Sequence, residues 1–198
     1  MLPVLRLAPR GVEAGAGGDP GDADGMTDPE GLAREGEAYE FRDERSQDWL
    51  LSWHSPELPP PEGTRHGSDG ICFTPDGSVV LVTQQGTAWE YPGGRPEGDE
   101  EWRATLVREV LEEACAVVRS ATLLGYSRSV CLKGEEAGLV LVRALWCADV
   151  GLKPWRPQHE TTGRMVVHPE EVLGRVRNTC EPIDRRAFHE ALVARGLA

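Results

Sequence analysis

The apolar positions of this 198-residue chain come in short bursts separated by turn residues, with one longer stretch of helical period. Asp48 to His54 reads DWLLSWH, a run suited to a strand, and the Pro-rich connector ELPPPEGT follows it. Ile71 to Thr74 and Ser78 to Thr83 flank Pro75-Asp76-Gly77, a hairpin signal. A further short strand is predicted over Thr87 to Tyr91, then a helix over Glu100 to Ala114. Ala121 to Ser129 and Leu139 to Val150 read as strands joined by a turn at Gly134-Glu135-Glu136, and Gly163 to His168 as another. Pro169-Glu170-Glu171 has the make-up of a first helical turn, with Pro early and acids at the positive end of the dipole. Arg185 to Arg195 closes the chain as a last helix. Strands on both sides of a central helix predict an α+β fold, a mixed sheet with helices packed on it.

Composition divides the chain. Residues 8–38 are rich in Gly, Ala, Asp, Glu and Pro and hold almost no large apolar side chain, too little to offset the entropy of ordering. Residues 1–45 are therefore read as an acidic, largely disordered extension, 46–64 as a strand and connector, and 65–198 as the folded domain. The extension holds eleven acids and five bases, which makes it the source of half the net charge of −12. That balance argues against duplex DNA or long RNA as a partner, because phosphate backbones are held by Lys and Arg. It leaves room for a small phosphorylated ligand held through a cation. Five cysteines, an odd number without CxxC spacing, point to a reducing compartment rather than a disulfide framework or a zinc site. No apolar run approaches the length that crosses a bilayer, so the expectation is a cytoplasmic protein without a membrane partner.

The chemistry concentrates in one segment, GGRPEGDEEWRATLVREVLEEACA from Gly93. Glu109, Glu112 and Glu113 stand at i, i+3 and i+4 of the predicted helix, three carboxylates on one face. Val107, Val110, Leu111 and Ala114 form an apolar face expected to pack on the sheet. Like charges so close destabilise a helix, and a hard divalent cation such as Mg²⁺, which takes oxygen ligands, removes that repulsion. Gly93, Gly94 and Gly98 supply a loop whose backbone can approach a ligand closely. A Glu-rich helix on its own is an ordinary solvated face. The full spacing is what changes the reading: Gly94, five residues, Glu100, seven residues, then Arg108, Glu109, Val110, one residue, Glu112, Glu113.

That spacing resembles the Nudix box, a loop–helix–loop signature running here from Gly94 to Ala116, and WEYPGG before it resembles the strand and turn that precede such boxes. Two positions depart from the pattern. Cys115 stands where the family has the Gly that ends the helix in a left-handed residue, and Ala116 where it has a bulky aliphatic. The resemblance implies a Nudix-type mixed sheet sandwiched between helices. It also implies hydrolysis of a diphosphate bond in a nucleoside diphosphate linked to another moiety: a nucleotide, nucleotide sugar or dinucleotide. Glu109, Glu112 and Glu113 would bind Mg²⁺ or Mn²⁺, and Glu100 and Arg108 would orient those ligands. The general base varies in such enzymes. Glu160 is the first candidate, with Glu112, Glu135, Glu136 and His159 as alternatives, and Trp89 and Trp155 are read as packing rather than base-stacking residues. A non-catalytic nucleotide-sensing module on the same fold is the second reading. A decapping type of RNA enzyme conflicts with the acidic charge. A homodimer is an open expectation, with Asp48–His54 as the segment that could cross to a partner. A shorter product starting at Met26 would lose nothing given a role here, an expectation that N-terminal sequencing of the native protein tests.

Overall fold

A computed structural model describes residues 31–157, 161–177 and 180–198. Eight strands and three helices follow in the order β1 (Ala38–Arg42), β2 (Asp48–His54), β3 (Thr64–Phe73), β4 (Val79–Thr83), β5 (Gly93–Gly94), α1 (Trp102–Ala114), β6 (Ala116–Lys133), β7 (Val140–Leu152), β8 (Gly163–Val167), α2 (Pro169–Arg175) and α3 (Glu181–Ala194). The strands form one mixed sheet, ordered β1-β2-β6-β7-β3-β4-β8, with β5 paired to β3. Only β3 and β7 run parallel among the named strand pairs, with Asp69 opposite Leu145 and Cys72 opposite Ala148. The chain therefore has the expected α+β architecture.

Strand alternation gives the sheet two apolar faces. Val142, Ala144, Trp146 and Ala148 of β7 join Cys72, Leu106 and Val110 in one buried cluster, which seats α1. Leu51, Ile71, Phe73 and Cys147 point the other way and pack with Ile183, Ala187 and Phe188 of α3. No helix among the described residues is long and apolar enough to cross a membrane.

Several expectations are corrected. The buried stripe of α1 is Thr105, Leu106, Val110 and Ala114, while Val107 and Leu111 are 37% and 43% exposed. A helix with 3.6 residues per turn cannot bury Val107 and Leu111 while also turning Glu109 and Glu113 toward the opposite flank of Val110. The helix begins at Trp102 rather than Glu100, because Gly98 is left-handed and the Glu100 side chain is held by Arg108 in the loop before it. Thr87–Tyr91 is not a strand. It makes single bridges, Glu90 to Val82 and Trp89 to Val176.

Within residues 1–45, Ala38–Arg42 is ordered as β1, with Tyr39 opposite Leu51 and Phe41 opposite Trp49. It was hidden by its acidic surroundings, since AYEFR exposes its polar residues and turns only Tyr39 and Phe41 to the core. The rest of the region read as disordered lies, up to residue 30, outside the described residues. Strand β2 sits between β1 and β6, antiparallel to both.

Leu106, on the sheet-facing side of α1, is fully buried. Leu106→Ala is expected to cost about 2–5 kcal/mol in urea unfolding. Leu111→Ala should stay within about 0.5 kcal/mol, as exposed positions do. A reversed order would restore the face inferred from periodicity.

Candidate active site

Helix α1 is fixed before any acid on it is placed. Ser68 of β3 donates its hydroxyl to the Trp102 carbonyl (2.6 Å), and Arg65 donates to the Glu100 carbonyl (2.6 Å). The Arg65 guanidinium lies 5.0 Å from the centre of the Trp102 ring, which meets Tyr126 edge-on at 5.9 Å. The far end is held differently. Cys115 adopts the left-handed conformation (φ 46°, ψ 49°), and its amide donates to the Val110 carbonyl. A side chain there carries a backbone cost that Gly would not. Two contacts offset it: the buried Cys115 thiol donates to the Arg156 carbonyl (3.2 Å), and Arg164 donates to the carbonyls of Ala114 (2.8 Å) and Cys115 (3.2 Å). A cation at a helix C-terminus also meets the negative end of the dipole.

Arg108 organises the acids. Its Nε and one terminal nitrogen each donate to a different oxygen of Glu100 at 3.0 Å, a bidentate pair. The other terminal nitrogen donates to Glu109 (3.0 Å) and Glu112 (3.2 Å), and the Arg95 carbonyl accepts a further bond at 2.7 Å. Bonds from Arg108, from the Glu97 amide and from Thr105 hold the Glu100 carboxyl down at about 2. Glu113 turns elsewhere and accepts the Gly93 amide at 2.9 Å. Burial, then the charges of Glu109, Asp69 and Glu90, push its carboxyl up to about 7, while burial raises that of Glu109. Gly93 lies so close to the β3 backbone at Ser68 and Asp69 that a Cβ there would collide with it, and a Cβ on Gly94 would occupy the Glu109 carboxylate.

These groups form one end of a cavity of about 1130 Å³ that runs over the α3 face of the sheet. Among the sequence-predicted residues, Gly93, Gly94, Arg108, Glu109 and Glu113 line it. Glu112 is not among the lining residues and is held by Arg108. Among the described residues no three acids, imidazoles or thiols are grouped as a ready metal cage, because Glu109 and Glu112 turn to Arg108 and Glu113 to Gly93. Glu160 and His159 lie outside the described residues. Glu136 accepts from the Gln47 side chain (2.9 Å), which pins the β6–β7 turn to the start of β2, and neither it nor Glu135 lines the cavity. Trp89 packs against the α3-side core, and Trp155 lies under the Arg164 guanidinium (5.1 Å).

Among the polar cavity residues that sequence reasoning missed are His66, Asp69, Arg95 and Arg143. Arg143 pairs with Asp69 across the β3–β7 register. Both had a legible signal, each being a charge inside an apolar alternation, Leu141-x-Arg143-x-Leu145 and Asp69-x-Ile71-x-Phe73, on strands covered on both faces.

The sequence model of the NUDIX domain matches residues 63–191, most of the chain, so the chain belongs to the NUDIX family. Among solved structures it is similar to the Bacillus subtilis pyrophosphohydrolase BsRppH, with 25% identity and a TM-score of 0.55, covering 80% of this chain and 98% of that one. A NUDIX hydrolase from Nitrosomonas europaea shares the fold at 18% identity and a TM-score of 0.51, covering 66% of this chain and 90% of that one. No curated protein sequence matches the chain.

Half-burial, followed by the charges of Arg143 and Arg95, holds the His66 imidazole down at about 4. His66 is then neutral at pH 7. The unfolded chain, with an ordinary value near 6.5, binds this proton more readily, so this group's contribution to stability falls as pH drops from about 6.5 to 4. NMR titration of His66 should give a midpoint near 4. A midpoint near 6.5 would contradict the burial.

Proposed function

We propose that this chain hydrolyses a diphosphate bond in a nucleoside diphosphate linked to another moiety, with Mg²⁺ or Mn²⁺ as cofactor. The observation that carries this reading is the gathering of Glu109, Glu113, Asp69 and Glu90 at one end of a cavity whose neighbouring wall bears Arg95, Arg108 and Arg143. The donor set suits such a cation: it is all oxygen, its acids lie close together, and Gly94 leaves the Glu109 carboxylate room. Glu109, Glu112 and Glu113 would hold the metal, with Glu112 and Glu160 the candidates for receiving the proton of the attacking water. When bound, a divalent metal supplies charge neutralisation at phosphate oxygens and a more acidic water.

The rest is the work of this chain's own side chains. Arg108 keeps Glu109 and Glu112 oriented through charge-assisted hydrogen bonds and is itself locked by Glu100. The Gly93 amide fixes one oxygen of Glu113 and leaves the other available. Arg95 and Arg143 present positive charge to a phosphorylated substrate, which an acidic protein otherwise lacks.

Phosphate release from a nucleotide panel with Mg²⁺ tests the reading. Turnover of no nucleotide, together with a ligand-raised melting temperature, would replace it by the sensing module. Glu113→Gln is expected to lower turnover by roughly 100-fold or more with the melting transition preserved. Activity near that of the unchanged enzyme would remove Glu113 from the metal site.

A further inference from the structure

We infer that the β1–β2 hairpin, which lies before the family-matched segment, forms the nucleoside-recognition wall of the cavity, through Phe41 and Arg45. This rests on the diphosphatase reading above. The family match begins at residue 63, yet Phe41, Arg45 and Trp49 line the same cavity as Glu109 and Glu113. From β3, beside the acidic end, to β2 the sheet order is β3-β7-β6-β2. Three steps at the usual strand spacing span roughly 14 Å. A diphosphate held at the acidic end does not reach that far. What meets the hairpin is the group attached to it.

The hairpin is built to hold a fixed shape. Asp43 accepts from the Gln47 amide (2.9 Å), from the Gln47 side chain (3.1 Å) and from the Trp49 indole (2.9 Å). Gln47 is buried and reaches on to Glu136 (2.9 Å). At the tip, Glu44 pairs with Arg177 (2.8 Å), joining the hairpin to the segment after α2 on the cavity's other side. That fixed frame presents the half-buried Phe41 ring and the exposed Arg45 to the cavity. An aromatic face beside a guanidinium suits a planar, hydrogen-bonding group, the base of a nucleoside. Elsewhere in the cavity lining, beside Pro92 and Gly93, the Tyr91 hydroxyl is buried and has no hydrogen-bond partner among the described residues.

The test compares two non-hydrolysable probes by calorimetry in Mg²⁺: methylenediphosphonate, and the α,β-methylene analogue of ADP, which adds a nucleoside to the same diphosphate. The full-length protein is expected to bind the ADP analogue at least about tenfold more tightly, since base stacking on an aromatic is worth roughly 5–100-fold. Phe41→Ala and Arg45→Ala should each remove much of that advantage while leaving methylenediphosphonate affinity within about twofold. Arg45 is exposed, so its variant keeps the question answerable if Phe41→Ala fails to fold. An advantage retained in Arg45→Ala and in any folded Phe41→Ala, or absent from the unchanged protein, overturns the hairpin's role alone. Failure of the unchanged protein to bind either probe overturns the diphosphate site as well.

Discussion

The Arg108 guanidinium reaches Glu100 through two nitrogens, Glu109 and Glu112 through a third, and the Arg95 carbonyl besides. Everything at the acidic end of the cavity depends on that arrangement. Glu109, Glu112 and Glu113 at i, i+3 and i+4 repel one another, at about 0.2–0.5 kcal/mol per exposed pair and more where they are buried. A cation covalently part of the helix offsets that repulsion during folding, so the helix need not wait for a metal to form. Because Glu100 locks Arg108 from the loop, the same contacts pin the loop's position relative to the helix. The loop in turn carries Gly93, whose amide holds Glu113. The spacing of the motif is thus a physical chain: acid in the loop, cation on the helix, acids beside it, amide back in the loop.

That chain was legible in sequence because each link is local. Glu100, Arg108 and the three acids fall within fourteen positions, and helix geometry converts such spacing directly into proximity. The strands β2, β6, β7 and β8 were legible from runs of apolar residues, and the β3–β4 hairpin from Pro75-Asp76-Gly77. What local spacing cannot supply is pairing across the sheet. Asp69 and Arg143 are seventy-four positions apart and meet because β3 and β7 run parallel in one register. Arg164 reaches the end of α1 from β8, a neighbour in space only. The apolar face of α1 was misread for a related reason: Val107 and Leu111 match the helical period as well as Leu106 does, and only the position of β3 decides which side is covered.

Charge separates the two parts of the cavity more sharply than composition suggested. A chain with net charge −12 gathers Arg95, Arg108, Arg143 and His66 around one cluster of acids. Burial beside Arg143 and Arg95 keeps His66 neutral, so it adds no further positive charge. The cations already present are spoken for in part: Arg143 by Asp69 and Arg108 by three glutamates. On the proposed reading, a phosphate entering here would meet a nearly balanced site, with guanidinium groups to orient it and acids to favour a divalent cation alongside.

The sheet has the cavity on its α3 face and the motif helix on the other, and the acidic flank of α1 reaches the cavity past the two-residue strand β5. On the proposed reading, reaction and recognition rest on different parts of the chain. The acidic end is built from the loop and helix that the spacing rule constrains tightly, since moving any one member breaks the chain of contacts through Arg108. The opposite wall comes from β1, β2 and the turn between them, where only the Asp43 and Gln47 network and the sheet register fix the frame. Side chains presented by that frame, Phe41 and Arg45 among them, can change without disturbing α1. On that reading the motif loop and helix carry the chemistry, while the β1–β2 hairpin, outside the family-matched segment, meets the group attached to the diphosphate.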